Sequence, residues 1–257
     1  MRLRSFSFAL SIVLASAGVA SALPLSLSNI EGAWQNPIAD AATLAGPPPL
    51  SISNNATPGI DEIRWGTPYL PDNPGGLQSG YDFEAVSGVV NPTLGTPFLL
   101  GTFTHLNNTI TIGTVGFTGV ELAFSFDSNG APPSLSNVFK FTHNETSNSV
   151  PLVDCPSVST IPCDDIVKID STPINAHIIV GSDNYFFNLL GFSTDGGVTF
   201  TDTYYSVEGG ANSAELYGLV TAETIPEPAS LVLFGTGLAL FAARLRRRKT
   251  DKTDAAV

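Results

Sequence analysis

Turn-forming residues punctuate this chain about every 8–12 residues from Leu23 to Ile225, and between them apolar side chains recur with a period of two. Val120-Glu121-Leu122-Ala123-Phe124-Ser125-Phe126 alternates large apolar with smaller or polar residues and runs into the turn sequence Asp127-Ser128-Asn129-Gly130. Phe139-Lys140-Phe141, Ile110-Thr111-Ile112 and Val198-Thr199-Phe200-Thr201 keep the same period, the last behind the turn Asp195-Gly196-Gly197. His177 to Val180 and Tyr185 to Phe192 are apolar on both faces, as strands in the middle of a sandwich are. Pro47-Pro48-Pro49 and Pro71-Asp72-Asn73-Pro74-Gly75-Gly76 read as loops. Before Ala229 no long stretch keeps the helical period of about 3.6. Nor does a unit of about 20–50 residues repeat, which argues against a solenoid or propeller. The expectation is one all-β domain over residues 23–222, an antiparallel β-sandwich of jelly-roll-like kind.

The two ends of the chain follow different rules. Arg2 and Arg4 precede an apolar stretch from Phe6 to Val19, and Ala20-Ser21-Ala22 supplies small residues at a cleavage site. Residues 1–22 therefore read as a secretory signal peptide, read by an export translocon and removed by signal peptidase after Ala22. At the other end, Ile225-Pro226-Glu227-Pro228-Ala229-Ser230 leads into the apolar run Leu231 to Ala243, with Arg244, Arg246, Arg247, Arg248 and Lys249 behind it. The 16 uncharged residues from Pro228 to Ala243 rise about 24 Å as a helix. That is short for a hydrocarbon core of about 30 Å. Leu245 and snorkelling arginine stems extend it into a short transmembrane helix, and Arg244, Arg246, Arg247 and Arg248 act as the membrane stop.

Charge narrows the partners. The chain carries a formal −12, but the basic residues crowd its ends. Between Leu23 and Ile225 only Arg64, Lys140 and Lys168 face 20 carboxylates, a formal charge near −17. Such a surface repels nucleic acid and anionic lipid and stays soluble outside a cell. Nucleic acid is excluded as a partner.

Cys155 and Cys163 lie eight positions apart in a loop-like stretch with Pro156 and Pro162, and in an oxidising compartment they form a disulfide. No metal ligands are assigned, because no HExxH or comparable spacing is present. G-x-S-x-G, P-loop and G-x-G-x-x-G motifs are missing as well, so no catalytic residue is assigned and the chain is read as a non-enzyme. His105, His143 and His177 are the only histidines. His105 and His143 admit two readings, a metal pair or a base with Asp165 on one side, polar positions that orient loops on the other. The second is preferred. Asp127-Ser128-Asn129-Gly130, Asp72-Asn73 and Asp164-Asp165 are oxygen-rich and would suit structural calcium, or they are simply turn formers. No cofactor is expected beyond that calcium alternative. Trp65, Tyr81, Phe83, Tyr204 and Tyr205 would furnish a platform for sugar rings, or belong to the core; the core reading is preferred.

Pro226-Glu227-Pro228, the segment Ala229 to Ala243 and the basic end Arg244 to Lys249 together resemble the PEP-CTERM sorting domain of exported bacterial proteins. That resemblance implies recognition by an exosortase, a membrane cysteine peptidase, and loss of the tail near the motif. It also implies a transient inner-membrane intermediate, then the cell surface or extracellular matrix of a Gram-negative bacterium. A second resemblance spans about Trp34 to Ala222. Ile63-Arg64-Trp65-Gly66, Gln78-Ser79-Gly80-Tyr81-Asp82-Phe83 and Phe103-Thr104-His105-Leu106-Asn107-Asn108-Thr109-Ile110 look like the choice-of-anchor K domain. So do Thr142-His143-Asn144-Glu145-Thr146-Ser147-Asn148, Cys163-Asp164-Asp165-Ile166-Val167 and Gly210-Ala211-Asn212-Ser213-Ala214-Glu215-Leu216. It implies one β domain on a surface anchor and assigns no activity. The function expected is a structural or adhesive surface role, exopolysaccharide being the natural contact. The alternative is a secreted carbohydrate-active hydrolase or carbohydrate-binding module on a β-sandwich.

Overall fold

Alternating burial along each segment builds two antiparallel sheets in the computed structural model. It describes residues 24–46, 48–57, 59–111, 116–132, 137–146, 155, 163–170, 176–180, 183–222, 235–239, 241 and 244. The signal peptide and the Pro226-Glu227-Pro228 motif lie outside the described residues. One sheet has five strands in the order β1 (Leu27–Ala39), β6 (Phe117–Ser128), β7 (Asn137–Asn144), β8 (Asp165–Ile169) and β11 (Thr203–Ser206). The other has seven: β2 (Ser51–Thr57), β3 (Ile60–Trp65), β4 (Ser79–Ala85), β5 (Pro97–Asn107), β12 (Gly210–Ala222), β10 (Asp183–Ser193) and β9 (Ala176–Val180). One short helix, α1 (Ala41–Ala45), follows β1, its first turn capped by the Asp40 carboxylate, which accepts from Thr43 N at 2.7 Å.

The sheets meet through aromatic rings. Trp34 of β1 lies 5.4 Å from Phe141 and 5.6 Å from Tyr81, so it touches both sheets. Phe103 of β5 stacks against Phe141 of β7 at 5.7 Å, and Phe83 of β4 meets Phe124 of β6 at 5.0 Å. Buried edge-to-face and stacked pairs of this kind add directional preference to apolar burial. Along one side β1 also approaches β2. The Asn54 side chain accepts from Trp34 N at 2.9 Å and donates to Trp34 O at 3.1 Å, supplying from a side chain what a ladder partner would give. Trp34 Nε1 donates to Asp61 O at 2.9 Å. Asn29 and Asn36 take positive φ where the β1 register shifts, a conformation asparagine tolerates.

Three strand expectations need correction. Val198-Thr199-Phe200-Thr201 is not a strand. The Asp195 carboxylate accepts from Val198 N, Thr199 N, Thr199 Oγ1 and Ser193 Oγ and gathers the segment into a loop, leaving Val198 exposed. Ile110 makes only an isolated bridge to Pro68, and Ile112 lies outside the described residues. His177–Val180 does not run mid-sandwich either: β9 is the edge of the seven-stranded sheet, with His177 and Ile179 exposed. Its neighbour β10 alternates, burying Tyr185, Phe187 and Leu189, while Phe186 packs sideways on His177 at 4.7 Å. Apolar side chains on both faces here reflect lateral pairing within one face, not a second covering layer.

The Cys155–Cys163 disulfide is formed, with Cα atoms 5.3 Å apart. The chain divides into two compact units, Met1–Thr221 with both sheets and Ala222–Val257. In the second unit residues 235–239 are helical. Among the described residues no helix is long and apolar enough to cross a membrane.

Candidate functional site

Period-two burial puts His105 of β5 on the same inward face as Phe103, and His143 of β7 on the same inward face as Phe139 and Phe141. Both histidines therefore point between the sheets, and their rings lie 5.2 Å apart. Asp165 opens β8, the neighbour of β7, and is buried beside them. One ligand atom from each of His105, His143 and Asp165 lies within 4.8 Å of the others. Rings enclose the group: Trp65 stacks over His105 at 5.9 Å and meets His143 at 5.2 Å, while Phe117 lies 5.4 Å from His143.

His143 is hydrogen-bonded at both nitrogens. Tyr81 Oη is 2.6 Å from Nδ1, and a Glu145 carboxylate oxygen is 3.0 Å from Nε2. With the Tyr81 hydroxyl donating to Nδ1, the Nε2–H is left to donate to Glu145. Asp165 is held through Oδ1, which accepts from Thr146 N at 2.7 Å and from Thr146 Oγ1 at 3.2 Å. Thr146 Oγ1 also lies 2.8 Å from the carbonyl of Cys163, tying the cluster to the disulfide. His105 differs. Neither of its ring nitrogens has a hydrogen-bond partner among the described residues, and neither has Asp165 Oδ2.

Burial sets the protonation. It drives His105 well below the usual imidazole range and His143 down to about 4, so both are neutral at pH 7. The same desolvation pushes the Glu145 and Asp165 carboxyls well above the usual carboxylate range, and at Asp165 the negative charges of Glu145 and Glu208 add to it. The Tyr81 hydroxyl is pushed well above its ordinary value by burial. Charge is expensive for every member of this group.

The residues singled out in the sequence thus divide sharply. His105, His143 and Asp165 come together, whereas His177 sits exposed on β9. Of the two histidines, only His143 has the hydrogen bonds that a loop-orienting residue needs. Trp65, Tyr81 and Phe83 are wholly buried and Tyr204 nearly so, leaving Tyr205 as the exposed ring of the set. They are core, not a sugar platform. Two of the oxygen-rich turns spend their side chains on backbone hydrogen bonds: Asn73 accepts from Leu77 N at 3.3 Å, and Asn129 accepts from Ser26 N at 2.7 Å. A surface groove of about 510 Å³ lies elsewhere, lined by Ile30, Glu31, Asn54, Asp61 and Val89 among others, and holds none of the histidines. Sequence reasoning did not place Glu145 in the site, although it follows His143 by two positions.

A family model described as the PEP-CTERM protein-sorting motif matches residues 224–248. The chain carries a PEP-CTERM sorting signal. The match supports an exported, exosortase-targeted protein with surface localisation in a Gram-negative bacterium. The match takes in Pro226, Glu227 and Pro228 together with Arg244, Arg246, Arg247 and Arg248. Comparison with curated proteins finds no match.

Proposed function

We propose that this protein is a non-catalytic surface or matrix component, delivered by its tail and acting through its β-sandwich as a structural or adhesive module. The observation that carries the reading is the sorting motif at residues 224–248. In this reading residues 1–22 are cleaved by signal peptidase after passage through the translocon. The apolar run from Ala229 halts in the inner membrane against the arginines, and exosortase cuts near Pro226-Glu227-Pro228. Both prolines restrict their own φ and keep the segment extended for a peptidase. The body over 23–222, read as a choice-of-anchor K-like domain, would then lie among exopolysaccharide of a biofilm matrix. Its high negative charge supports solubility there.

Intact mass of the protein recovered from an exosortase-bearing host and from one lacking the enzyme tests the route. The expected product ends close to residue 226 in the first host and retains residues 226–257 in the second. An identical full-length mass in both would overturn the reading. The same exported protein, put to a glycan array and a hydrolase substrate panel, is expected to bind polysaccharide without turnover. Turnover without stable binding would favour the carbohydrate-active hydrolase instead.

A further inference from the structure

We propose that His105, His143 and Asp165 bind a single divalent transition-metal ion of the zinc class, which cross-links the two sheets of the sandwich. The donors converge from β5 of one sheet and from β7 and β8 of the other, with their ligand atoms within 4.8 Å of one another.

Three features point to a ligand rather than to ordinary core polarity. Both nitrogens of His105 and Oδ2 of Asp165 are buried with no hydrogen-bond partner among the described residues. An orphaned buried polar group costs about 1–3 kcal/mol, and three in one cluster ask for a common partner. A cation between them satisfies a nitrogen of His105 and the free Asp165 oxygen at once. Second, the supporting contacts have the form that orients metal ligands. Thr146 fixes Asp165 through Oδ1 and leaves Oδ2 free, while Tyr81 and Glu145 hold the His143 ring at its two nitrogens. The ion takes the place of one of those two hydrogen bonds, and the other keeps the ring oriented. Third, His105, His143 and Asp165 are all buried between the sheets, so an ion they hold would be enclosed by protein.

Donor chemistry selects the ion. Two imidazoles and a carboxylate suit zinc or its first-row neighbours, whereas calcium and magnesium prefer all-oxygen sets. The enclosing rings of Trp65, Phe117 and Tyr81 give a dry, closed setting of the kind structural sites have.

The test uses the full chain, stripped with a chelator and re-equilibrated with Zn²⁺ or Co²⁺. We expect one equivalent of Zn²⁺ after dialysis and a higher Tm than in the stripped protein. Binding is expected to be lost in His105→Gln and Asp165→Asn variants that keep the disulfide and the wild-type circular dichroism. A readout on the unmutated chain guards against variants that fail to fold: bound Co²⁺ should shift the ring signals of His105 and His143 in NMR and leave His177 unmoved. Folded wild-type protein that retains no stoichiometric metal would overturn the proposal. So would Co²⁺ that perturbs His177 alone, or folded His105→Gln and Asp165→Asn chains that bind as tightly as wild type.

Discussion

Phe83 shows how tightly single residues set the spacing of this sandwich. Its ring lies between two glycines, Gly101 on the adjacent strand β5 and Gly32 on β1 of the opposite sheet. A Cβ added at Gly101 would meet the Phe83 ring and the carbonyl of Glu84, which is backbone and cannot swing aside. Overpacking of this kind costs about 1–3 kcal/mol. Gly101→Ala is therefore expected to lower unfolding free energy by that amount in urea titration, with an unchanged midpoint counting against it. The buried cluster obeys the same close packing with opposite chemistry, since His105 and Asp165 stand where hydrocarbon would be cheaper.

Among the elements, the loop between β10 and β11 takes its form from a single ionised side chain. Four donors converge on Asp195, and these hydrogen bonds from Thr199, Ser193 and Val198 hold its carboxyl down at about 2. A lowered folded value means stability that is complete above the unfolded value of 3.8 and is lost as pH falls from there through about 2. The amides of Val198 and Thr199 are expected to lose hydrogen-exchange protection over that acid window and not at neutral pH. Asp195→Asn should bring the same loss at pH 7. Protection that persists to pH 2 in wild type would contradict this. The loop also explains why an alternating apolar tetrapeptide fails as a strand. Local side-chain acceptors outbid a ladder that had no neighbouring strand to offer.

For the whole molecule, the disulfide and the proposed metal site reinforce one end of the sandwich. Cys163 adjoins Asp164 and Asp165, and its carbonyl accepts from Thr146 Oγ1. A bridge closing a loop of eight-residue separation stabilises by about 2–3 kcal/mol through loss of unfolded-chain entropy. Reduction of metal-stripped protein is expected to lower the unfolding free energy by about that amount, read from urea midpoints of oxidised and reduced chains. Coincident midpoints would remove the bridge from any account of stability.

The all-β class, the acidic body, the disulfide pairing and the sorting tail were legible in the residues themselves. Each rests on local pattern: alternation, charge count, cysteine spacing, or a motif beside an apolar run and arginines. Even the inward aim of the histidines was written in the parity of Phe103-His105 and Phe139-Phe141-His143, had a strand been read through the first and the Phe139–Phe141 strand been carried two residues further. Tertiary structure alone decided that the two inward faces oppose each other at one end and that Asp165 opens the strand beside His143. It also placed β9 at a sheet edge. Pairing order and sheet-on-sheet apposition join residues 22 to 60 positions apart, through contacts that no local period encodes.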